Sequence, residues 1–251
     1  MISNPFSLEN KTVLVTGASS GIGRACAVEF SNMGAKCCIL VARNKEALEQ
    51  TAALMNPECE VIVKTCDLSV TEDLEKLVVE LPSLDGLMLN AGVNKMKPIQ
   101  FYSQNDLENI FSVNCFSSML LVKQLMKKKK LNSGCSIIFT ASISGFNNVS
   151  VGNGIYGASK SALSAFMKYA ALELAPKGVR CNAIHPGRIE TPLIHNGVTG
   201  EEEIRKDIEK YPLRRYGKPE EVAWMATYLL SDAATWITGT DLVIDGGRSL
   251  I

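Results

Sequence analysis

The amino-acid sequence predicts an α/β fold, a doubly wound parallel sheet with helices on both faces. Two observations lead to this prediction. Largely apolar runs of four to six residues recur along the chain, and longer segments of helical periodicity lie between them. Such runs are typical of strands that are covered on both faces. The alternation of strand and helix indicates βαβ units with right-handed crossovers.

Each element follows from a local pattern. The first helix is predicted at 22–33, where Gly34 can take the left-handed conformation that ends a helix. A last helix is predicted at 219–230, ahead of the final strand. In chain order, the predicted strands span residues 12–15, 37–41, 60–63, 86–89, 136–140, 179–184 and 241–245.

Two further helices begin at predicted capping boxes, in which an N-cap hydroxyl and an acid three residues later each accept a backbone N–H. The pairs are Ser69 with Glu72 and Ser103 with Asp106. The second of these helices is long and ends in the lysine run 127–130. Because cations complement the C-terminal end of a helix dipole, we interpret this run as a solvated helix end rather than as a docking patch.

The chain is predicted to form one domain over residues 1–251. No Pro/Gly/Ser-rich linker, internal repeat or low-complexity segment divides it, and its 46% hydrophobic content is sufficient for a substantial core. The segment 188–212 is polar, rich in Glu and Lys, and without a clear strand pattern. We therefore expect it to form a helical lid over the substrate cleft.

Composition argues against several classes of partner. Lys+Arg and Asp+Glu number 26 each, so no long-range attraction to nucleic acid or to an anionic membrane is expected. The eight cysteines form no CxxC pair and His185 and His195 have no cysteine companions, so no metal site is predicted. Free thiols, together with the absence of a signal-peptide pattern or a long apolar span, favour a cytoplasmic location.

A glycine-rich loop, TGASSGIG, follows the first strand and leads into the first helix. Gly17 permits a sharp turn, Gly21 lets the backbone approach a pyrophosphate, and Gly23 permits close helix–strand packing. The N-terminus of the helix then presents free N–H groups to the phosphates. Glycines in such a loop can also serve the turn alone, but this context of strand, loop and helix favours dinucleotide binding.

The end of the second strand indicates which dinucleotide is bound. An acid at that position would bind the ribose hydroxyl of NAD, yet no acid occurs before Glu46. Ala42 leaves space, and Arg43 offers a planar set of donors to a 2′-phosphate. NADP(H) is therefore the predicted cofactor, the alternative being that Arg43 is an ordinary surface arginine.

Tyr156 and Lys160 are candidates for proton transfer. On a helix, residues four apart project from the same face. A phenol ionises near pH ~10, and a neighbouring ammonium favours its ionised form, so the pair is a tunable acid for a carbonyl that becomes an alcohol. An exposed helical pair is the alternative interpretation.

Polar residues at other predicted strand ends support the catalytic interpretation. Ser142 follows the strand at 136–140, at the edge where open α/β sheets bind ligands. A hydroxyl there can hold a substrate carbonyl beside Tyr156. Asn114 lies inside the long helix, where a buried asparagine is unfavourable unless it is used, and we expect its amide to hold a water for proton relay to Lys160.

Taken together, these motifs resemble the short-chain dehydrogenase/reductase family over nearly the whole chain. The matching residues occur in family order: TGASSGIG, Asp67-Leu68, Asn90-Ala91-Gly92, Asn114, Ser142, Tyr156 with Lys160, and Pro186-Gly187. The resemblance implies a Rossmann-like sheet with strand order 3-2-1-4-5-6-7. It also implies a catalytic tetrad in which Tyr156 is the acid, Ser142 orients the carbonyl, Lys160 binds the nicotinamide ribose and Asn114 anchors a water relay.

The same resemblance implies the cofactor contacts. Asp67 and Leu68 would meet the adenine, and Ile189 and Thr191 would bind the carboxamide end of the nicotinamide. The full implied set is Gly17, Ser19, Ser20, Gly21, Ile22, Gly23, Arg43, Asp67, Leu68, Asn90, Ala91, Gly92, Tyr156, Lys160, Pro186, Gly187, Ile189 and Thr191.

Two features depart from the family pattern. Leu89 stands where the motif usually has a first asparagine. Ser142 lies 14 residues before Tyr156, one more than the common spacing, and Ser144 lies 12 before it. We prefer Ser142 because Gly145 completes the pattern Ser-x-x-Gly, and Ser144 remains the alternative.

The C-terminal region resembles the 3-oxoacyl-(acyl-carrier-protein) reductase branch, so reduction of a β-keto thioester with NADPH is the first substrate hypothesis. Lys177 and the lysine run are candidates for a rim that binds the carrier, although the acids at 201–203 argue against an anionic carrier there. The alternatives are a sugar, polyol or other alcohol dehydrogenase and, in another class, a noncatalytic dinucleotide sensor or scaffold.

The family resemblance also implies a homotetramer that assembles through the long helices carrying Asn114 and Tyr156. Outward-facing candidates on the second helix are Ala162, Ala165, Phe166 and Ala170. Ordinary core packing of these residues is the alternative.

Overall fold

One parallel sheet of seven strands organises the protein. The structure is a computed structural model that describes residues 4–192 and 200–251. Every neighbouring pair of strands is parallel, in the order β3-β2-β1-β4-β5-β6-β7, which confirms the predicted sheet. The strands are β1 (Thr12–Thr16), β2 (Cys37–Ala42), β3 (Glu60–Thr65), β4 (Leu84–Leu89), β5 (Leu131–Thr140), β6 (Arg180–Pro186) and β7 (Asp241–Ile244).

Helices cover both faces of this sheet. One apolar core lies under the first, second and last of them, and another lies under the third, fifth and sixth. The α-helices are α1 (Gly21–Asn32), α2 (Lys45–Ala52), α3 (Thr71–Glu80), α4 (Gln104–Phe111), α5 (Ser117–Lys127), α6 (Gly154–Leu174), α7 (Glu201–Ile208) and α8 (Pro219–Leu230).

The alternation of side chains along each strand builds both cores. Val13 and Val15 of β1 contact the core under α1, α2 and α8, whereas Leu14 contacts the core under α3, α5 and α6. All three side chains are fully buried. The outer strands β3 and β7 are only partly buried, because each lies at an edge of the sheet.

The helix starts were predicted with mixed success. The capping box of Ser103 and Asp106 is present at α4. The one predicted for Ser69 and Glu72 is wrong, since Val70 precedes α3 and no side chain caps it. The Ser69 hydroxyl and backbone N–H donate instead to the Asp67 carboxylate, at 2.6 and 3.0 Å. A local acid two residues upstream therefore competes successfully for the capping hydroxyl.

The long helix that begins at α4 runs on into α5 through a π-helical turn, Ser112–Phe116. Its last residue is Lys127, as the lysine run predicted. Such a turn inside an α-helix is frequent at functional sites, and this one holds Asn114.

The C-terminal third contains part of the predicted lid. Helix α7 lies within 188–212, but residues 193–199, His195 among them, fall outside the described residues. In the part of the chain that is described, no helix is long and apolar enough to cross a membrane.

The outer surface of α6 agrees with the prediction only in part: Ala165 is exposed, but two of the other predicted residues face the core. Ala170 is buried in the core, and the ring of Phe166 packs edge-on against Phe139 of β5, with ring centroids 6.0 Å apart. These residues lie on the sheet-facing side of the helix. The large apolar side chains that point outward are Tyr169 and Leu172, which are 67% and 76% exposed.

Candidate active site

A cleft of about 640 Å³ opens at the carboxyl ends of the strands. Open α/β sheets bind their ligands at this edge. The cleft is lined by all of the candidate site residues except Gly23 and Asn114. The sheet therefore gathers side chains that are distant in sequence into one cleft.

The glycine loop forms one end of the cleft. Gly17 and Gly21 have positive φ angles of 66° and 53°, which a side chain would strain. A Cβ at Gly23 would lie 2.2 Å from the carbonyl oxygen of Gly17, so the first turn of α1 packs directly on the loop backbone. A Cβ at Gly21 would lie 3.0 Å from Thr191 Cγ2, so the segment after β6 closes over the start of α1.

The loop after β4 is tied to β1. The Thr16 hydroxyl accepts hydrogen bonds from the N–H groups of Asn90, at 2.9 Å, and Ala91, at 3.1 Å. Asn90 Oδ1 accepts a hydrogen bond from Thr140 at 3.3 Å. A Cβ at Gly92 would lie 3.3 Å from Lys160 Nζ, so a glycine there keeps the backbone close to the candidate catalytic lysine.

The ends of β2 and β3 carry the residues expected at the adenine and at the 2′ position. Arg43 is exposed at the rim of the cleft, while Leu68 is buried. Hydrogen bonds from Ser69 hold the pKa of Asp67 below its ordinary value, and the Arg43 charge contributes less. No acidic side chain lies at the end of β2.

Tyr156 and Lys160 project from one face of α6, as their spacing predicted. Lys160 Nζ lies 5.9 Å from the centroid of the Tyr156 ring and donates a hydrogen bond to the carbonyl of Thr140 at 2.6 Å. The side chain is almost fully buried. Burial lowers the pKa of Lys160 to about 8, because an ammonium loses its hydration there.

The direction found for the Tyr156 pKa differs from the expectation. Burial raises it, and an interaction with the Ser142 hydroxyl opposes the rise only in part. The ammonium has less influence than expected, since Lys160 donates to Thr140 and lies against the ring rather than at the hydroxyl. A raised pKa keeps the phenol protonated at neutral pH, which suits an acid.

The two candidate serines point in different directions. The Ser142 hydroxyl lies beside Tyr156 and accepts the N–H of Ser144 at 3.1 Å. Ser144 is buried, with its hydroxyl 3.4 Å from where a Cβ of Gly157 would lie. Of the two, Ser142 is the serine that faces the tyrosine hydroxyl.

Asn114 is fully buried behind the cleft. Its amide nitrogen donates to the Val93 carbonyl at 2.9 Å and to the Ser159 hydroxyl at 3.1 Å, and its oxygen accepts the Val93 N–H at 2.7 Å. Both N–H groups of the amide already have protein partners, so the predicted relay water would have to bind at the second lone pair of the amide oxygen. The asparagine also ties the loop after β4 to α6.

Several residues of the cleft carried no recognisable pattern in the sequence. Asn94 and Asn153 join across it through a 3.0 Å hydrogen bond. Arg188 pairs with Asp207 of α7 at 3.3 Å, and its backbone N–H donates to the Tyr211 hydroxyl. For Arg188, the available signal was a charged residue on a segment predicted to be a lid. Nothing in the sequence indicated that Asp207 and Tyr211 would be its partners.

Comparison with known proteins places this geometry in a family. The family described as "Enoyl-(Acyl carrier protein) reductase" matches residues 17–249. A tropinone reductase homolog of Arabidopsis thaliana is 37% identical over 254 residues, covering 99% of this chain and 94% of the relative. A 3-oxoacyl-[acyl-carrier-protein] reductase of Rickettsia felis is 30% identical over 246 residues, covering 98% of this chain and all of the relative.

Solved structures agree with these matches. The crystal structure of levodione reductase superimposes with a TM-score of 0.91 at 29% identity, covering 97% of this chain and 99% of that one. A provisionally named 2-deoxy-D-gluconate 3-dehydrogenase of Agrobacterium tumefaciens, with bound NADP, has a TM-score of 0.87 at 28% identity, covering 99% of this chain and all of that one. From motifs, sheet order and relatives alike, the chain belongs to the short-chain dehydrogenase/reductase family of oxidoreductases.

Proposed function

We propose that the protein is an NADPH-dependent carbonyl reductase in which Tyr156 is the general acid. One observation carries the proposal: in the cleft that begins at the glycine loop, the Ser142 hydroxyl lies beside Tyr156 and the Lys160 ammonium lies against the Tyr156 ring. A positioned acid beside an oriented carbonyl is the requirement for reduction to an alcohol.

The residues present fit a nicotinamide dinucleotide. The backbone of Gly17, Ser19, Ser20, Gly21 and Ile22 lines the cleft at the N-terminus of α1, where the free N–H groups of the helix would bind the diphosphate. When bound, the cofactor supplies the hydride. The other proposed contacts are Gly23, Arg43, Asp67, Leu68, Asn90, Ala91, Gly92, Tyr156, Lys160, Pro186, Gly187, Ile189 and Thr191.

Each candidate catalytic side chain has a separate task in this proposal. Ser142 donates a hydrogen bond to the substrate carbonyl oxygen, since its own oxygen already accepts from Ser144. Tyr156 gives its proton to that oxygen as the alcohol forms. Lys160 presents a positive charge to the ribose and to the phenolate left behind, while Asn114 fixes the backbone of Val93 beside them.

The preference for NADPH rests on Arg43 and on the absence of an acid at the end of β2. The NADP-bound relative supports the same assignment. A guanidinium binds a 2′-phosphate through two parallel hydrogen bonds, whereas a carboxylate there would repel it.

A β-keto thioester remains the first proposed substrate, supported by the 3-oxoacyl reductase relative. The second candidate is a ketosugar or polyol, favoured by the neutral amides and hydroxyls of Asn94, Asn148, Ser150 and Asn153 along one wall of the cleft.

We further propose that residues 1–251 form one domain and that the segment 188–212 is the substrate lid. The eight cysteines of the protein are all free and buried. We therefore propose that it works in the reducing cytoplasm.

A substrate and cofactor screen tests the proposal. The oxidation of NADPH and NADH is followed with a β-keto thioester, a ketosugar and a cyclic diketone, for the wild type, R43A and the control K45A, whose lysine is exposed on α2. We expect at least one carbonyl to be reduced, with NADPH preferred about tenfold or more, equivalent to about 1.4 kcal/mol. R43A should lose the preference and K45A should keep it. A preference for NADH in the wild type would contradict the assignment of Arg43.

A further inference from the structure

A buried hydrogen-bonded chain runs from α6 to the backbone of Ser142. The His185 imidazole of β6 is its centre, and its side chain is only 1% exposed. His185 Nδ1 lies 2.8 Å from the carbonyl oxygen of Ser142, and Nε2 lies 2.8 Å from Asp241 Oδ1 on β7. The Phe146 ring covers the imidazole, with ring centroids 4.3 Å apart.

Both nitrogens of this imidazole face hydrogen-bond acceptors. A backbone carbonyl oxygen can only accept, and so can an ionised carboxylate. A neutral imidazole carries one N–H and would leave a lone pair directed at an oxygen 2.8 Å away. An imidazolium, with an N–H on each nitrogen, satisfies both contacts.

The carboxylate of Asp241 is ionised in this setting. Lys168 Nζ of α6 lies 2.8 Å from Oδ2, and the Ser164 hydroxyl donates to Oδ1 at 2.5 Å. Burial opposes ionisation, but the hydrogen bonds from Lys168, Ser164 and His185 together hold the pKa of Asp241 below its ordinary value. Asp241 and Lys168 are the charged partners of this chain of contacts within the described residues, and neither donates a hydrogen bond to an unprotonated nitrogen of His185.

The contact between His185 and Ser142 completes the attachment of the segment 141–143 to β6. The N–H groups of the flanking residues Ala141 and Ile143 donate to the carbonyls of Ile184 and Pro186, at 2.8 and 3.2 Å. The peptide between them is held by the His185 side chain. That peptide sets the direction of the Ser142 side chain toward Tyr156.

We infer that His185 is a positioning residue, a doubly protonated imidazolium that anchors the Ser142 carbonyl and thereby aims the Ser142 hydroxyl at the substrate. The expected effect of His185 on turnover rests on the proposed function. The protonation state of His185 does not, since it follows from the hydrogen-bond partners alone. His185 itself touches no part of the cleft that Tyr156 lines.

Nuclear magnetic resonance tests the protonation state. The chain has two histidines, so ¹⁵N-histidine labelling gives two imidazole spin systems, and H185N identifies the one that belongs to His185. At neutral pH we expect both nitrogens of His185 to show slowly exchanging N–H protons. A single N–H in the folded wild type would overturn the imidazolium assignment. Because the spectrum needs no turnover, this result stands even if the chain reduces no carbonyl.

Two matched variants test the positioning role. The amide nitrogen of an asparagine at 185 replaces Nδ1 and can still donate to Ser142, whereas that of a glutamine replaces Nε2 and reaches toward Asp241 only. The assay uses NADPH and the carbonyl that the wild type reduces fastest. H185Q should lose about tenfold in kcat, which corresponds to one hydrogen bond to a charged donor, with little change in the Kd for NADPH. H185N should recover most of the loss.

Thermal unfolding of both variants separates folding from positioning. Equal kcat values for folded H185N and H185Q would overturn the positioning role. If H185Q does not fold, H185N alone tests the positioning role. A tenfold loss of kcat in folded H185N would overturn that role, because this variant keeps an N–H donor to the Ser142 carbonyl. If the wild type reduces no carbonyl, the proposed function fails and the spectrum still decides the state of His185.

Discussion

At the scale of single residues, burial determines how the acid–base groups can work. The same loss of hydration raises the pKa of the Tyr156 phenol and lowers that of the Lys160 ammonium. The two shifts move the pKa values apart, so the tyrosine keeps its proton at neutral pH while the lysine retains its charge up to about pH 8. Both effects favour proton donation in the direction of reduction.

The buried lysine gives a prediction about stability. In the folded protein the pKa of Lys160 is about 8, against 10.5 for the free side chain. Below about pH 8 both states are protonated and the folded state bears the whole cost of burying the ammonium. As the pH rises from about 8 to 10.5, the folded state releases its proton first, so stability rises with pH. The unfolding free energy of the wild type should gain about 1–3 kcal/mol relative to K160M over this range.

Denaturant unfolding of both proteins without cofactor, at pH 7 and at pH 10, measures this difference. K160M serves as the reference because it lacks the titrating group and keeps every other residue. A free-energy difference between wild type and variant that does not change with pH would show that Lys160 is not desolvated as described.

At the scale of elements, the strands and their ends were the most predictable part of the site. Unbroken apolar runs marked the inner strands, and the motif residues that follow them, such as Asn90 and Ser142, met at one edge because parallel strands share their carboxyl end. The edge where the cleft lies could therefore be predicted without any contact being known.

What depended on competition between nearby groups could not be predicted. Ser69 has the pattern of a helix cap, but its hydroxyl donates a hydrogen bond to the Asp67 carboxylate. The amide of Asn114 binds Val93 and Ser159, which lie 21 and 45 residues away in sequence, and His185 meets Asp241 56 residues away. Such partners are set by the packing of the whole sheet, which local periodicity does not encode.

The packing of α1 on the glycine loop gives a second prediction. An alanine at position 23 would bring its Cβ to 2.2 Å from the Gly17 carbonyl oxygen, so the loop backbone, rather than a flexible side chain, would have to shift. G23A should lower the unfolding free energy by about 2 kcal/mol, the usual cost of overpacking, and weaken NADPH binding by at least about tenfold.

The matched control is G200A, because among the described residues a Cβ at that position meets only the Glu203 side chain, at 4.0 Å. Calorimetry and fluorescence titration with NADPH measure both quantities. If G23A binds NADPH as tightly as G200A does, the glycine loop does not hold the diphosphate in the manner proposed.

At the scale of the whole molecule, the outward face of α6 suggests how copies of the chain assemble. Tyr169 and Leu172 are exposed on it, and Phe116 is about half exposed on the neighbouring long helix. A homotetramer would cover such apolar surface, which a single chain leaves in water.

Light scattering should therefore give a mass about four times the 27.2 kDa of one chain. L172E should lower this mass, because it places a charge in the proposed contact. L54E, at a position 60% exposed beside α2, should leave it unchanged. A wild-type mass of 27.2 kDa would contradict assembly through α6.

The central claim, that Tyr156 delivers the proton during carbonyl reduction, is tested most directly by the turnover of Y156F with NADPH and the best carbonyl of the wild type. Tyr169, exposed on the same helix, provides the control Y169F. We expect Y156F to lose at least about 100-fold in kcat, the scale of general acid catalysis, while its Kd for NADPH stays within about threefold and Y169F remains fully active. Carbonyl reduction by Y156F at the wild-type rate would contradict the claim.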